Sequence, residues 1–311
     1  MTDHAPSDPG AQTQTRRLPP SRGSRKATMT AVLFIAPAAL AYAAFVLVPL
    51  AMSFYYSLLR WDGIGAARFH GFTNYITVLT DADLLQIIGN SFQLVLYFTL
   101  IPVGLGLAVA SAIRGQMAGR FGTATRTILF LPQVIPLVAA GTAWSWMFAS
   151  TGLVNQSLKA VGLTSWARGW LGDFVWALPA VGIIGAWVLL GLCTMLLVTG
   201  IARIDQSLYE AARLDGARPW HEFRYITLPG LRQEIGVCIT VTVIAALASF
   251  DIVYISTQGG PGITTTVPGL EIYRLAFAHR QVGLASALAI VLMVLVLISI
   301  APVQWFTRDK K

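Results

Sequence analysis

Few residues in this 311-residue chain have types and spacings that support covalent chemistry. None of the four lysines follows a glycine, so the phosphate-binding pattern G-x-x-x-x-G-K-[ST] is missing from the sequence. The pair His221-Glu222 has no second histidine four residues later, which excludes the helix of zinc proteases, and no G-x-S-x-G nucleophile turn occurs. The sequence therefore predicts a protein that is not an enzyme and binds no metal or cofactor of its own.

Polar and aromatic residues at the end of one apolar stretch could bind a ligand. Asp251, Tyr254 and Gln258 recur at spacings of three and four, which predicts one shared helical face. Phe250 extends this polar-aromatic strip, and Trp187 lies in the middle of another apolar stretch. An ion facing lipid costs about 2.5 kcal/mol or more at the bilayer centre. We expect these five residues to line a substrate pathway; the alternative is that Asp251 lies at the headgroups and pairs with a neighbouring helix.

A polar segment at residues 203–233 carries five of the chain's arginines. Asp205 is a suitable N-cap for a helix that continues from Ser207 to Leu214, and Gly216 suits a left-handed stop. Pro219 suits the first turn of a second helix, which Pro229 is expected to end. The residues alone fit two interpretations: a plug for a groove of a partner protein, or an amphipathic element on the bilayer surface.

The composition excludes a soluble protein. Only 12% of the residues are charged and 55% are hydrophobic, against roughly 25% charged residues in soluble domains. Charged residues are missing from six windows, and about 20 residues cross the hydrocarbon core as a helix. The windows are 27–59, 84–113, 127–158, 174–202, 235–250 and 281–307. The fifth reaches this length only if Asp251 belongs to the same helix. The prediction is an all-α integral membrane protein with six transmembrane helices and one helix-turn-helix loop.

The basic residues indicate the orientation. Sixteen of the 22 lysines and arginines lie in the two termini and in the loops around Arg120 and Arg213, which places these parts in the cytoplasm. The net charge of +8 is thus a topology signal, and we expect no nucleic-acid partner. Residues 1–29 are expected to form a disordered cytoplasmic tail, residues 30–307 the transmembrane domain, and residues 308–311 a second tail.

The polar segment resembles the EAA loop of ABC-importer permeases. The matching residues have the complete spacing of that motif: Glu210, Ala211, Ala212, Gly216, Ile226, Leu228 and Pro229. In that family the loop is a coupling helix in a groove of a cytoplasmic ATPase, so the resemblance favours the plug. It implies two separate ATP-binding subunits, which hold the ATP.

Other segments resemble the carbohydrate-type members of this family. These are Phe34-Ile35-Ala36-Pro37, Gly71-Phe72-Thr73-Asn74-Tyr75 and Gly259-Gly260-Pro261-Gly262. The resemblance implies a multi-pass protein of the inner (cytoplasmic) membrane that pairs with a second, homologous permease. An external sugar-binding protein would deliver the substrate. A sugar needs hydrogen-bonding groups for its hydroxyls and flat apolar faces for its rings.

An ion-coupled secondary transporter or channel without an ATPase is the alternative. It predicts inward-facing ionisable residues in several helices. Asp251 alone fits that description, and an intramembrane hydrolase would need a histidine at membrane depth. The sequence favours the ATP-driven importer.

Overall fold

The computed structural model describes residues 23–114 and 119–307, which are mostly helical. The predicted C-terminal tail (308–311) and the first 22 residues of the predicted N-terminal tail lie outside the described residues. The first helix begins at Gly23. In chain order the α-helices are α1 (Gly23–Tyr42), α2 (Val48–Ser57), α3 (Thr73–Thr80), α4 (Ala82–Ala112), α5 (Arg120–Val134), α6 (Leu137–Met147), α7 (Leu153–Ala160), α8 (Ala177–Ile201), α9 (Gln206–Leu214), α10 (Pro219–Glu222), α11 (Leu228–Gly230), α12 (Arg232–Leu247), α13 (Asp251–Ser256), α14 (Pro268–Tyr273) and α15 (Val282–Thr307).

The chain divides into two compact units between Met52 and Ser53. In the first unit, α1 continues through a π-helical turn, Ala43–Leu47, into the start of α2. Pro49 lies two residues after the end of this turn. A proline has no N–H to donate, and its ring crowds the carbonyl four residues earlier, so a widened turn at this position relieves the crowding. The large apolar side chains of this first unit, such as Phe34, are exposed. Such exposure is typical of a helix that contacts lipid.

The core of the second unit forms where α4 packs along α8. Glycines of α8 make this approach possible, because a Cβ on Gly182 would lie 2.6 Å from the Tyr97 ring and a Cβ on Gly185 would overlap the Phe98 ring. On other sides, α5 packs against α8, and α12 packs against α4 and α15. Thr99 of α4 and Thr242 of α12 share a hydrogen bond of 2.9 Å between their hydroxyl oxygens.

A short antiparallel hairpin lies between α2 and α3. It pairs β1 (Leu59–Arg60) with β2 (Arg68–Phe69), and Leu59 lies opposite Phe69. The buried side-chain amide of Asn74 in α3 donates to the carbonyl oxygens of Ser57 and Leu59, at 2.8 and 2.9 Å. This amide therefore fixes the end of α2 and the start of the hairpin to α3.

Four helical stretches in the described residues are long and apolar enough to cross a membrane. They are Met29–Ser57, Ala82–Ala112, Ala177–Ile201 and Val282–Trp305. Two bent pairs raise the number to as many as six if each pair is one span: Gly122–Val134 with Leu137–Met147, and Pro219–Gly230 with Arg232–Leu247. The long apolar helices make the chain a multi-pass membrane protein.

Two of the six windows are not continuous helices, and the prediction was wrong there. In window 127–158, α5 ends at Val134 and the chain bends by 99° before α6. Ile135 is extended, with ψ of 128°, because it precedes Pro136. In the fifth window, α12 ends at Leu247, and Asp251 begins the separate helix α13.

The second break is held by tertiary packing. A Cβ on Gly269 of α14 would lie 2.9 Å from the carbonyl oxygen of Ser249, so α14 approaches the broken backbone closely. Apolar periodicity does not encode such a contact, which explains why the sequence did not predict the break.

Candidate functional site

The helix-turn-helix segment (residues 205–230) begins with a cap that the sequence predicted. The Asp205 carboxylate accepts a 2.9 Å hydrogen bond from the N–H of Ser207, which satisfies one free donor at the start of α9. Helix α9 starts at Gln206, one residue earlier than predicted. The predictions that Asp205 caps this helix and that the helix runs to Leu214 are confirmed.

Its turn is a left-handed stop. Gly216 has φ of +80°. The N–H of Gly216 donates to the carbonyl of Arg213 at 3.0 Å, and the N–H of Ala217 donates to that of Ala212 at 2.9 Å. These two bonds form a Schellman motif, which confirms the predicted role of Gly216.

The second helix of this segment is longer than predicted. Pro219 lies in the first turn of α10, as expected, and a π-helical turn, Phe223–Thr227, joins α10 to α11. The helix continues one residue past Pro229 to Gly230 and then bends by 68° into α12. As at Pro49, the π-helical turn comes just before the proline and accommodates its ring.

The residues that resemble the EAA motif are largely accessible. Glu210 and Ala211 are exposed on α9, and Gly216 is open, with no atom within 4 Å of a Cβ placed there. Large apolar side chains nearby are also bare: Leu214 is 89% exposed and Trp220 67%. Ala212, Ile226 and Leu228 are half-buried and Pro229 is exposed. Exposed apolar side chains in such number are typical of an interaction surface.

Part of the motif borders a groove. Leu228 and Pro229 line an apolar groove of about 690 Å³ together with residues of α12 and the end of α15, including Pro302 and Trp305. All the residues that line the groove belong to the described part of the chain. The groove adds apolar surface next to the helix-turn-helix segment.

Glu222 is a buried carboxylate in this largely exposed segment. It is 6% exposed. Its Oε1 accepts from Nε of Arg213 at 2.8 Å, and its Oε2 accepts from Nη2 of Arg114 at 2.7 Å. The hydrogen bonds from Arg213, followed by those from Arg114, hold the pKa of Glu222 below its ordinary value. The sequence analysis did not find this site, because its partners lie 9 and 108 residues away.

A second site lies where the two helix breaks meet. A cavity of about 480 Å³ is lined by residues of both breaks and by the faces of α4 and α8 between them. Its lining includes Phe98, Gln133, Ser249, Phe250 and Asp251. Broken helices at membrane depth are tolerated where the backbone lines such a cavity.

The predicted pathway residues do not all lie together. Phe250 and Asp251 line the cavity. Tyr254 is exposed and stacks on Phe250, with ring centroids 5.3 Å apart. Trp187 does not line this cavity and packs edge-on against Trp144, at 5.6 Å between centroids.

Gln258 does not share a helix with Asp251 and Tyr254, so the prediction of one common helical face was wrong. Helix α13 ends at Ser256, and Gln258 lies beyond it with φ of +50°. Its backbone carbonyl accepts a hydrogen bond from the Arg274 side chain. The prediction from spacings of three and four required a helix that reaches Gln258, but α13 has only six residues.

Gln133 is a cavity residue that the sequence analysis missed. Its Oε1 is buried, and among the described residues no donor lies within hydrogen-bonding distance of it. A buried acceptor without a partner is costly and uncommon. The available signal was a polar residue between Pro132 and Pro136 inside an apolar window.

Long apolar helices beside a partly polar cavity at two helix breaks are typical of a membrane transport protein. Residues 101–311 match the family described as "Binding-protein-dependent transport system inner membrane component". The chain belongs to this family, whose members are transport permeases and not enzymes. The resemblance inferred from the EAA motif is confirmed.

Individual relatives agree with this assignment. The chain is 32% identical to the probable ABC transporter permease protein YurN of Bacillus subtilis (strain 168), over 90% of this chain and 96% of the relative. It is 32% identical to the diacetylchitobiose uptake system permease protein NgcF of Streptomyces coelicolor, over 96% and 91% of the two chains.

A solved structure has the same fold. It is a bacterial alginate ABC transporter in complex with an alginate pentasaccharide-bound periplasmic protein. The similarity has a TM-score of 0.76 at 23% identity, and it covers 92% of this chain and 96% of the chain in that structure.

Proposed function

We propose that this chain is one of two permease subunits of an ATP-driven sugar importer. An external solute-binding protein delivers the sugar, and two cytoplasmic ATP-binding subunits drive its passage. The second permease is a different, homologous chain. The similar protein NgcF is named as a permease of diacetylchitobiose uptake, which supports a carbohydrate substrate. The periplasmic protein in the similar alginate transporter structure supports an external delivery protein.

In this proposal the chain crosses the inner membrane six times, with both termini in the cytoplasm. The four long helices supply four spans and the bent pair α5–α6 a fifth. The sixth is α12 together with α13, which follows its break. The excess of lysine and arginine in the termini and in the loops around Arg120 and Arg213 supports the orientation. The helix-turn-helix segment then lies in the cytoplasm, outside the spans.

The accessible surface of the helix-turn-helix segment carries the proposal. Glu210 and Ala211 are exposed beside an open Gly216, and Leu214 and Trp220 leave large apolar areas bare. We propose that the motif residues contact the ATP-binding subunit. They are Glu210, Ala211, Ala212, Gly216, Ile226, Leu228 and Pro229. The ATP-binding subunit holds the ATP, and this chain transmits the movement that follows.

The cavity at the two helix breaks is the proposed sugar pathway. Asp251 and the amide of Gln133 are suited to sugar hydroxyls, and Phe250 offers an apolar ring face. Tyr254 and Gln258 extend the same region toward the exposed surface. Movement of the helices around this cavity would open it alternately to each side of the membrane. Trp187 belongs to the pathway only if its contact with Trp144 opens during that movement.

The test uses the permease co-expressed with its partner permease and the ATP-binding subunit of the same genome, and the external solute-binding protein of that genome is added for the uptake measurement. The first measurement is retention of the ATP-binding subunit on the tagged permease. The second is ATP-dependent uptake of labelled diacetylchitobiose or lactose into vesicles loaded with ATP. We expect Glu210→Lys to abolish retention and uptake while the amount of folded permease stays the same, because a cation replaces the exposed carboxylate of the contact.

The control is Asp83→Lys, the same change of charge in the exposed first turn of α4, far from the motif in sequence. It should leave retention intact. Uptake at full rate without ATP, or with Glu210→Lys and no ATP-binding subunit bound, would contradict the proposal and favour an ion-coupled secondary transporter.

A further inference from the structure

The carboxylate of Glu222 joins three separate elements. It lies at the end of α10, Arg213 lies in the last turn of α9, and Arg114 lies two residues beyond the end of α4. The Arg114 bond of 2.7 Å is short, and the Arg114 side chain is 19% exposed. Charge-assisted bonds of this length are the strong ones. Glu222 therefore holds α9 and α10 of the helix-turn-helix segment together and also fixes the segment to the end of α4.

A buried aromatic ring supports the same arginine. The guanidinium carbon of Arg114 lies 3.7 Å from the centroid of the Tyr209 ring. Tyr209 is 1% exposed, and its hydroxyl oxygen lies 3.0 Å from the hydroxyl oxygen of the buried Thr227. Arg114 is thus held on one side by the ring of α9 and on the other by the carboxylate of α10. We call this set the Arg114 clamp: Arg114, Tyr209, Arg213, Glu222 and Thr227.

The clamp links the helix-turn-helix segment to a helix that is not its neighbour in the chain. The segment is joined directly through the backbone to α8 and α12, so a movement of the segment is transmitted to these two helices without the clamp. Helix α4 has no such connection, and its Arg114 is 108 residues from Glu222. Yet α4 carries Phe98 into the cavity and, near its other end, the buried Asn90, whose amide donates to the carbonyls of Ile263 and Thr266.

We propose that the Arg114 clamp makes α4 and the helix-turn-helix segment move as one body, so that the ATP-driven movement reaches the α4 wall of the cavity. This inference rests on the proposed function. Arg114 is a positioning residue, which acts on the cavity through α4. The guanidinium is suited to this work because its planar face stacks on the ring while its N–H groups bond the carboxylate.

The test measures whether the distance across the clamp stays fixed. Spin labels are placed at Ala112→Cys in α4 and Gln206→Cys in α9, both exposed, in the assembled transporter. Their distance distribution is recorded without nucleotide and with ATP, and ATP hydrolysis is measured on the same samples. With the clamp unmodified, we expect one narrow distribution of the distance between the two labels. ATP should shift this distance by less than about 2 Å, the size of a small helix shift.

Arg114→Gln should release α4. We expect a broadened distribution, or an ATP-dependent shift of about 5 Å, comparable to one helical turn, with ATP hydrolysis kept within about twofold because the surface for the ATP-binding subunit is intact. Arg114→Lys keeps the charge but loses the planar stack on Tyr209, so its distribution should be intermediate. Should Arg114→Gln fail to assemble, the lysine variant decides. Arg120→Gln, an exposed arginine with no ion pair among the described residues, is the control and should match the unmodified protein.

Two results would overturn the inference: a distribution that stays narrow in both Arg114 variants, or an ATP-dependent shift in the unmodified clamp as large as in Arg114→Gln. A purely structural role predicts parallel loss of assembly and hydrolysis with no change in the distances of the surviving protein. If the unmodified permease binds no ATP-binding subunit, the proposed function fails, and the nucleotide-free distributions still test the clamp.

Discussion

The side-chain amide of Asn90 donates a 2.8 Å hydrogen bond to the carbonyl oxygen of Thr266, 176 residues later in the chain. The same Nδ2 also donates to the carbonyl of Ile263 at 2.9 Å. Asn90 is almost completely buried in α4. One amide group therefore satisfies two backbone carbonyls of the irregular segment between α13 and α14 and fixes that segment to α4.

We expect Asn90→Leu to destabilise the protein while keeping the side-chain volume similar. The Thr266 carbonyl loses its donor, whereas the Ile263 carbonyl keeps the N–H of Thr266 at 3.1 Å. A buried group left without a partner costs about 1–3 kcal/mol. The measurement is the thermal unfolding midpoint of the purified protein in detergent. Ser91→Ala is the control, because within the described part of the chain the Ser91 hydroxyl donates to the carbonyl of Ile88, in its own helix. Equal midpoints for the two variants would contradict the assignment.

Gly185→Ala should disrupt the contact between α4 and α8. An added Cβ would overlap the Phe98 ring, and a filled core accommodates extra atoms at a cost of about 1–3 kcal/mol. Gly104→Ala in α4 meets no atom within 4 Å and should be neutral or slightly stabilising, because alanine favours the helix. Thermal unfolding of both variants checks this contrast. A stable Gly185→Ala protein would mean that the two helices can separate at little cost.

Gln133→Leu separates a binding role from a structural one. If the unpartnered Oε1 accepts a sugar hydroxyl, its loss removes one hydrogen bond, worth about 0.5–1.5 kcal/mol, or roughly 2- to 12-fold in the KM of uptake. The thermal midpoint should stay equal or rise, since a buried acceptor without a donor is replaced by an apolar group. Leu131→Met, an exposed change two residues away, is the control. An unchanged KM would exclude Gln133 from the pathway.

The contribution of Glu222 to stability should depend on pH only in acid. Its pKa lies below the ordinary value of 4.5 because Arg213 and Arg114 donate to the carboxylate. The folded protein therefore holds this proton less tightly than the unfolded chain. The stabilisation is fully present above pH 4.5 and is lost as the pH falls through the lowered pKa.

The thermal midpoints of the unmodified protein and of Glu222→Gln check this dependence. Their difference should be constant between about pH 8 and pH 5.5 and should shrink below the ordinary pKa. A difference that shrinks between neutral pH and about pH 6 would indicate that a histidine, and not Glu222, is responsible.

Local signals in the sequence predicted local structure well. Asp205 as a cap and Gly216 as a left-handed stop were correct because each depends on the backbone within a few residues. The helix break before Asp251 was missed because α14 holds it from a distance. Glu222 and Gln133 were missed for the same reason: their importance depends on partners, or on a lack of partners, that only the folded chain reveals.

The paired helix breaks at residues 135–136 and 248–250 have a consequence for hydration. Backbone outside a regular helix is tolerated at membrane depth where it is buried in protein or lines a water-filled cavity, and both breaks line the cavity described above. These two interruptions should therefore be the wettest part of the bundle interior. Their amide hydrogens should exchange with heavy water sooner than those in the uninterrupted middle of α8, which is sealed by the glycine-mediated contact with α4.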